Sequence, residues 1–160
     1  MAKISEKLNE AFNNQIKEEL ESAYIYLGMS EWFQEKSLDN LATWFEMQAK
    51  EEFEHAMKFK DHIIERGGHV HYNALAEQKQ DWENIMEILE ATYKHEKYIT
   101  SKIVELHELV KELKEYSSNQ LIMWFLAEQV EEEDNASTLI DKFKGYRNDF
   151  NFDHHIKREE

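Results

Sequence analysis

The chain has 160 residues, no proline, no cysteine, four glycines and a formal net charge of −15. That length suits one domain with a sizeable core, and the missing cysteines exclude disulfides, thiolate ligands and iron–sulfur clusters and fit a cytoplasmic address. Such acidity repels phosphate backbones, which argues against nucleic acid as a partner; it attracts cations, although plain solubility would ask for the same charge.

The longest apolar run, residues 121–127, is far too short to cross a bilayer, and Met1-Ala-Lys-Ile-Ser-Glu-Lys lacks the apolar stretch of a signal peptide. With so few breakers, apolar periodicity divides the chain into four helical segments and a tail. The first runs from near Ser5, its N-cap, to about Gln34. Ser37-Leu38-Asp39-Asn40 turns into the second, which stops at Gly67-Gly68. The linker from Gly67 to Gln80 is longer. At about 14 residues it reaches roughly 45 Å when extended, and a helix of about 28 residues is roughly 42 Å long. It can therefore run the length of a bundle and make the second and third segments parallel. A loose linker between two hairpins is the alternative, but Val70, Tyr72, Ala74 and Leu75 favour a packed strap. The third segment starts around Asp81 and runs to about Lys114, and residues 116–119 turn into a fourth that ends at Gly145. These elements predict an all-α four-helix bundle with one long crossover over residues 1–145. Residues 146–160 are a short helix or tail of the same domain, weakened as a helix by Asp149, Asn151 and Asp153.

Polar residues interrupt every core stripe. In the third segment Ile85, Leu89, Thr92, Glu96, Ile99, Ile103, Leu106 and Val110 alternate in steps of four and three, with Glu96 in the middle. The fourth reads Ile122, Phe125, Gln129, Glu132, Ala136, Leu139, Phe143. The first reads Leu8, Phe12, Gln15, Glu19, Ala23, Tyr26, Ser30, Phe33, and the second Leu41, Phe45, Gln48, Glu52, His55, Phe59. One such glutamate is ordinarily a slipped register or a snorkelling side chain. One in each segment, all near mid-length, is far harder to explain that way. Four unpaired buried carboxylates would cost on the order of several kcal/mol each in desolvation. Two divalent cations would neutralise them. Carboxylates with one imidazole, here His55 three residues after Glu52, suit a first-row ion such as iron or manganese. Alone, His55 would more often be a satisfied core histidine, and Glu-x-x-His is too short a pattern to carry weight.

The motifs Glu18-Glu19-Leu20 through Tyr24-Ile25-Tyr26, Gln48-Ala49-Lys50-Glu51-Glu52-Phe53-Glu54-His55-Ala56, Tyr93-Lys94-His95-Glu96 and Trp124-Phe125-Leu126-Ala127-Glu128-Gln129-Val130-Glu131-Glu132-Glu133 resemble the non-haem ferritins of bacteria and archaea over essentially the whole chain. The resemblance implies a ferritin-like bundle in which Glu19, Glu52 and His55 hold a first iron. Glu52 would bridge to a second iron at Glu96 and Glu132, with Gln129 close by. It implies that Tyr26 sits beside the diiron centre, where a stacked core tyrosine is the alternative. It also implies a third iron site at Glu51, Glu128 and Glu131, where the alternative is a solvated acidic face. A second Glu-x-x-His, as in bacterioferritins and rubrerythrins, is missing. Phe53 stands where bacterioferritin's haem methionine would fall, so no haem is expected. Small DNA-protecting relatives build their sites across a subunit interface, unlike the intra-bundle set found here. The implied function is oxidation of Fe(II) by O₂, a ferroxidase activity, with storage of ferric mineral in a 24-subunit cytoplasmic shell. Residues 148–160, with His154 and His155, are shorter and more polar than the family's fifth helix, which lines the four-fold axis; the channel there stays open as a question. An oxygenase acting on an organic substrate, or a bundle with merely salt-bridged glutamates, are the competing readings.

Overall fold

A computed structural model describes residues 2–157. It contains α1 (Glu6–Glu35), α2 (Asp39–Glu65), α3 (Ile85–Glu112), a 3₁₀ turn (Tyr116–Ser118), α4 (Asn119–Lys144) and α5 (Asp149–His155), with no strand among the described residues. Ser5 caps α1 as its sequence position predicts, its hydroxyl accepting from the Leu8 N–H at 3.3 Å. The first three helices end alike. Ser37, Gly67 and Lys114 turn left-handed at φ 60°, 73° and 54°. The next N–H then reaches back five residues: Leu38 to Phe33 O at 3.0 Å, Gly68 to Ile63 O at 2.8 Å and Glu115 to Val110 O at 3.0 Å. Only the middle stop uses glycine, which is why it alone stood out in the sequence.

The third helix begins later than Asp81. Asn84 accepts from the Glu87 N–H at 2.9 Å, while the Glu87 carboxylate accepts from the Glu83 N–H at 2.7 Å, so capping chemistry rather than apolar rhythm sets the start. Trp82 remains in the strap, where its carbonyl accepts from Trp32 Nε1 at 2.9 Å.

The crossover climbs the whole of α1. His69 N donates to Asn9 Oδ1 at 3.1 Å, His71 N to Asn13 Oδ1 at 2.7 Å, and Gln78 Nε2 to Glu21 Oε2 at 3.0 Å, before the Trp32–Trp82 bond at the far end. This makes α2 and α3 parallel, with α1/α2 and α3/α4 as antiparallel hairpins. The expected fastening was different: Tyr72 and Ala74 are exposed and Val70 and Leu75 only partly covered. Amides on α1 hold the strap by satisfying its backbone, which apolar contacts could not do. Gly68 is needed where the strap leaves α2, since a Cβ there would run into Asn9 Oδ1 and the methyls of Ile4 and Ile63.

The C-terminal helix uses the residues that seemed to argue against it. Asn148 caps it, accepting from Phe150 N at 2.8 Å. Phe152 is fully buried against Phe143 and Tyr146 at ring distances of 5.0 and 5.8 Å. Asp153 accepts from the Leu41 N–H at 2.7 Å, supplying the N-terminal cap that Leu38 cannot give α2. Residues 158–160 of the expected tail lie outside the described residues.

Two apolar clusters fill the bundle. One gathers Tyr26, Phe33, Leu41, Phe45, Ile88 and Leu89; the other gathers Leu8, Phe12, Phe59, Ile63, Ile103 and Phe125. Between them lies a polar belt.

Candidate metal centre

Each long helix sends one glutamate into that belt at the depth the core rhythm dictates. Glu19 of α1, Glu52 of α2, Glu96 of α3 and Glu132 of α4 are all buried, as are His55 and Gln129. Their donor atoms form two triads, Glu19–Glu52–His55 and Glu52–Glu96–Glu132, within each of which the atoms lie no more than 4.8 Å apart. Glu52 belongs to both. A third grouping joins His55, Glu128 and Glu132 on the same criterion of distance.

Side-chain amides steer the carboxylates. Gln15 donates to Glu19 Oε1 at 3.1 Å; Gln48 donates to Glu52 Oε1 at 3.0 Å and Glu132 Oε2 at 2.7 Å; Gln129 donates to Glu96 Oε2 at 3.1 Å. Gln15 and Gln48 each stand four residues before their glutamate, one helical turn away. The spacing was visible in the sequence, but the partnership was not drawn from it. The Tyr26 hydroxyl donates to Glu96 Oε1, and the tyrosine ring also meets Phe45 and His95 at 6.1 and 5.9 Å, so it is at once a site neighbour and a packed core residue.

The charge of the belt is not balanced by the protein. Burial raises Glu52 to about 7, Glu96 to about 8 and Glu132 to about 9, and mutual repulsion adds to each. Burial works against a charged His55, yet the Glu19 and Glu52 carboxylates, 3.8 and 3.3 Å from its Nδ1, outweigh it and carry the imidazole to about 11. Burial, followed by the charge of Glu96, lifts Tyr26 well above the usual phenol range, so its hydroxyl stays a donor. Meanwhile Glu19 Oε2 is buried with no hydrogen-bond partner. Hard oxygens, one imidazole, a shared carboxylate and a bare buried oxygen together fit a pair of divalent cations.

The centre meets the surface through an acidic cleft of about 600 Å³ between α2 and α4, lined by Glu51, Glu128, Glu131 and Glu132, with Lys142, His155 and Lys157 also on its walls. Glu51 and Glu128 are half-buried and Glu131 is exposed. Burial raises Glu128 above the ordinary carboxylate range, with Glu131 and Glu51 adding repulsion. The three residues therefore share one wall outside the belt.

A four-helix bundle with this crossover, and with two triads that share one carboxylate and could hold metal, belongs with the carboxylate-rich, metal-binding helical bundles. Known proteins narrow the class. The family described as Ferritin-like domain matches residues 9–146. A bacterial non-heme ferritin of Campylobacter jejuni is 33% identical over 141 residues, covering 88% of this chain and 84% of the relative. One of Staphylococcus aureus is 34% identical over 137 residues, with coverages of 86% and 82%. Among solved structures, an open pore ferritin from the archaeon Archaeoglobus fulgidus superposes with a TM-score of 0.95 at 36% identity over 100% of both chains. A humanized archaeal ferritin gives 0.93 at 34% identity, covering 98% of this chain and 99% of the other. The chain belongs to the ferritin family. The resemblance to bacterial and archaeal non-haem ferritins seen in the sequence is borne out by these matches.

Proposed function

We propose that this protein stores iron and is a ferroxidase, oxidising Fe(II) with O₂ at the Glu19–Glu52–His55–Glu96–Glu132 centre and keeping the ferric product soluble inside a shell of its own subunits. The observation that carries the reading is Glu52, one carboxylate common to two buried triads, beside Glu19, whose Oε2 is buried without a hydrogen bond and has His55 Nδ1 3.8 Å away. Iron here is the substrate. Glu19, Glu52 and His55 would hold one ferrous ion, and Glu52, Glu96 and Glu132 the other. Two Fe(II) each give up one electron, and O₂ takes both, with two protons, to the level of hydrogen peroxide.

The chain's own contribution is charge and placement. Anionic oxygens favour Fe(III) over Fe(II), and the amides of Gln15, Gln48 and Gln129 fix the carboxylates before metal arrives. Tyr26 holds Glu96 in place and can supply a proton or an electron beside it. Oxygen ligands also exchange, as a site that must release its product requires. The acidic cleft at Glu51, Glu128 and Glu131 is the passage of iron to and from the centre and a third iron site. No helix among the described residues is long and apolar enough to cross a membrane, in keeping with a cytoplasmic shell. Twenty-four subunits is the assembly proposed.

Anaerobic apoprotein given excess Fe²⁺ and then air tests this directly. It should take up far more than two irons per subunit and remain soluble at a mass far above a monomer's. Uptake that stops at two, or precipitation of the iron, overturns the storage reading.

A further inference from the structure

The α1/α3 side of the bundle has a second opening whose chemistry is the reverse of the acidic cleft. Under the strap lies a groove of about 340 Å³ walled by Ile25, Met29, Trp82, Ala91 and Tyr98, with His95 among its lining residues. His95 is most of the way buried, and its ring stands at 83° to that of Tyr26 with centroids 5.9 Å apart; Tyr26 in turn donates to Glu96. His95 is held in that pose. Ser22 uses its own hydrogen on Glu18 O at 2.8 Å, so at 2.7 Å its oxygen accepts from His95 Nε2. One imidazole and one phenol thus separate the groove from a ligand carboxylate of the centre.

We infer that the groove bounded by Met29, Ala91 and His95 is the path by which dioxygen reaches the Tyr26–Glu96 side of the centre, leaving the acidic cleft at Glu132 to iron. The inference rests on the ferroxidase reading above and adds to it the sorting of the two reactants. Dioxygen is small, uncharged and better dissolved among apolar side chains than in water, so an aliphatic and aromatic groove concentrates it. A ferrous ion meets the opposite conditions: no carboxylate is among the residues that line this groove, and Lys79, paired with Glu87, and Lys94 are. The cleft, with four glutamates against two lysines on its walls, attracts the cation, and its surface is mostly polar. Separate access keeps incoming dioxygen from crossing the stream of iron. It also brings the gas in beside Tyr26, the hydroxyl nearest Glu96.

The test fills the groove and reads the dependence on dioxygen. Ala91→Phe, and Ala91→Leu as the smaller change should the first fail to fold, are compared with the parent protein. Initial oxidation rates are measured over a range of dissolved O₂, and ferrous binding is measured anaerobically. The apparent KM for O₂ should rise at least about threefold in Ala91→Phe and less in Ala91→Leu. Ferrous stoichiometry and the rate at saturating O₂ should stay as in the parent. A KM for O₂ unchanged in both variants overturns the inference and leaves the ferroxidase reading standing. A parent protein that binds ferrous iron yet consumes no O₂ overturns the ferroxidase reading itself, and this inference with it.

Discussion

At one end of the bundle Arg66, His62, Glu115 and Ser118 form a polar knot; at its middle Glu19, Glu52, His55, Glu96 and Glu132 form a belt. In the knot Arg66 pairs with Glu115 at 2.8 Å and donates to Ser118 at 3.0 Å, while Glu115 also accepts from Ser5 N at 2.9 Å. Burial pushes Glu115 up, but the Arg66 and Ser5 hydrogen bonds outweigh it and leave it below the ordinary carboxylate value. In the belt the same side chain goes the other way: Glu52, Glu96 and Glu132 rise to about 7, 8 and 9, because burial, joined by mutual repulsion, outweighs the hydrogen bonds from His55, Tyr26, Gln129 and Gln48. The knot gives its carboxylate a guanidinium and ties the N-terminus to the ends of α2 and α3. The belt sets four carboxylates against a single imidazole. A buried acidic group thus reveals its role through its partners, more than through its burial.

The comparison can be broken most sharply by removing a carboxylate from each cluster. Glu52→Ala removes the carboxylate common to both triads and, on the proposed reading, should slow initial iron oxidation by more than about 100-fold, followed as ferric absorbance. Glu115→Ala, by the same assay, should leave the rate per folded subunit where it was. Stability should respond in reverse. Arg66→Ala leaves the half-buried Glu115 without its cation and should lower unfolding free energy by about 1 kcal/mol in denaturant titrations, with iron oxidation intact in the folded protein.

The belt also sets a pH dependence. Unfolded carboxyls lose their protons near their ordinary 4.5, whereas folded Glu52, Glu96 and Glu132 keep theirs to about 7, 8 and 9. The folded state therefore binds more protons across that window, and His55, raised from 6.5 to about 11, acts in the same direction. Stability of the metal-free protein is fullest at the acid end of the window and is lost as pH rises through it. Its melting temperature should fall by about 5 °C between pH 6 and pH 9 in calorimetry. A melting temperature that climbs over the same interval would contradict the protonation described here. The smallest effect belongs to the cap that α5 lends α2. Asp153→Ala should cost about 1 kcal/mol and loosen amide-exchange protection at Leu41 before that of the belt.

Much of this was legible in the sequence because bundle periodicity is a strong signal. Glu19, Glu52, Glu96 and Glu132 fall on seams of alternating three and four steps, and the structure brings all four together. Features that depend on chain ends meeting were not legible. Asp153 and Leu41, Asn9 and His69, and Arg66 and Glu115 are far apart in sequence and carry no periodic mark. The strap shows the limit well. Its apolar residues predicted that it was fastened, which it is, but the fastening is done by asparagines on α1 whose role no pattern announces. The pairing of His95 with Ser22 carries no sequence mark for a similar reason, both lying on the flanks of the seams rather than on them.

The central claim is that the belt is an arrangement for two divalent cations, held with protons in their place until metal comes. Anaerobic calorimetric titration with Fe²⁺ at pH 7, repeated in two buffers of different ionisation enthalpy, measures both halves of that claim at once. Two ferrous ions should bind per subunit in the belt, with release of at least two protons as Glu96, Glu132 and His55 give theirs up. Binding of fewer than two ions there, or of two with no proton released, would contradict it.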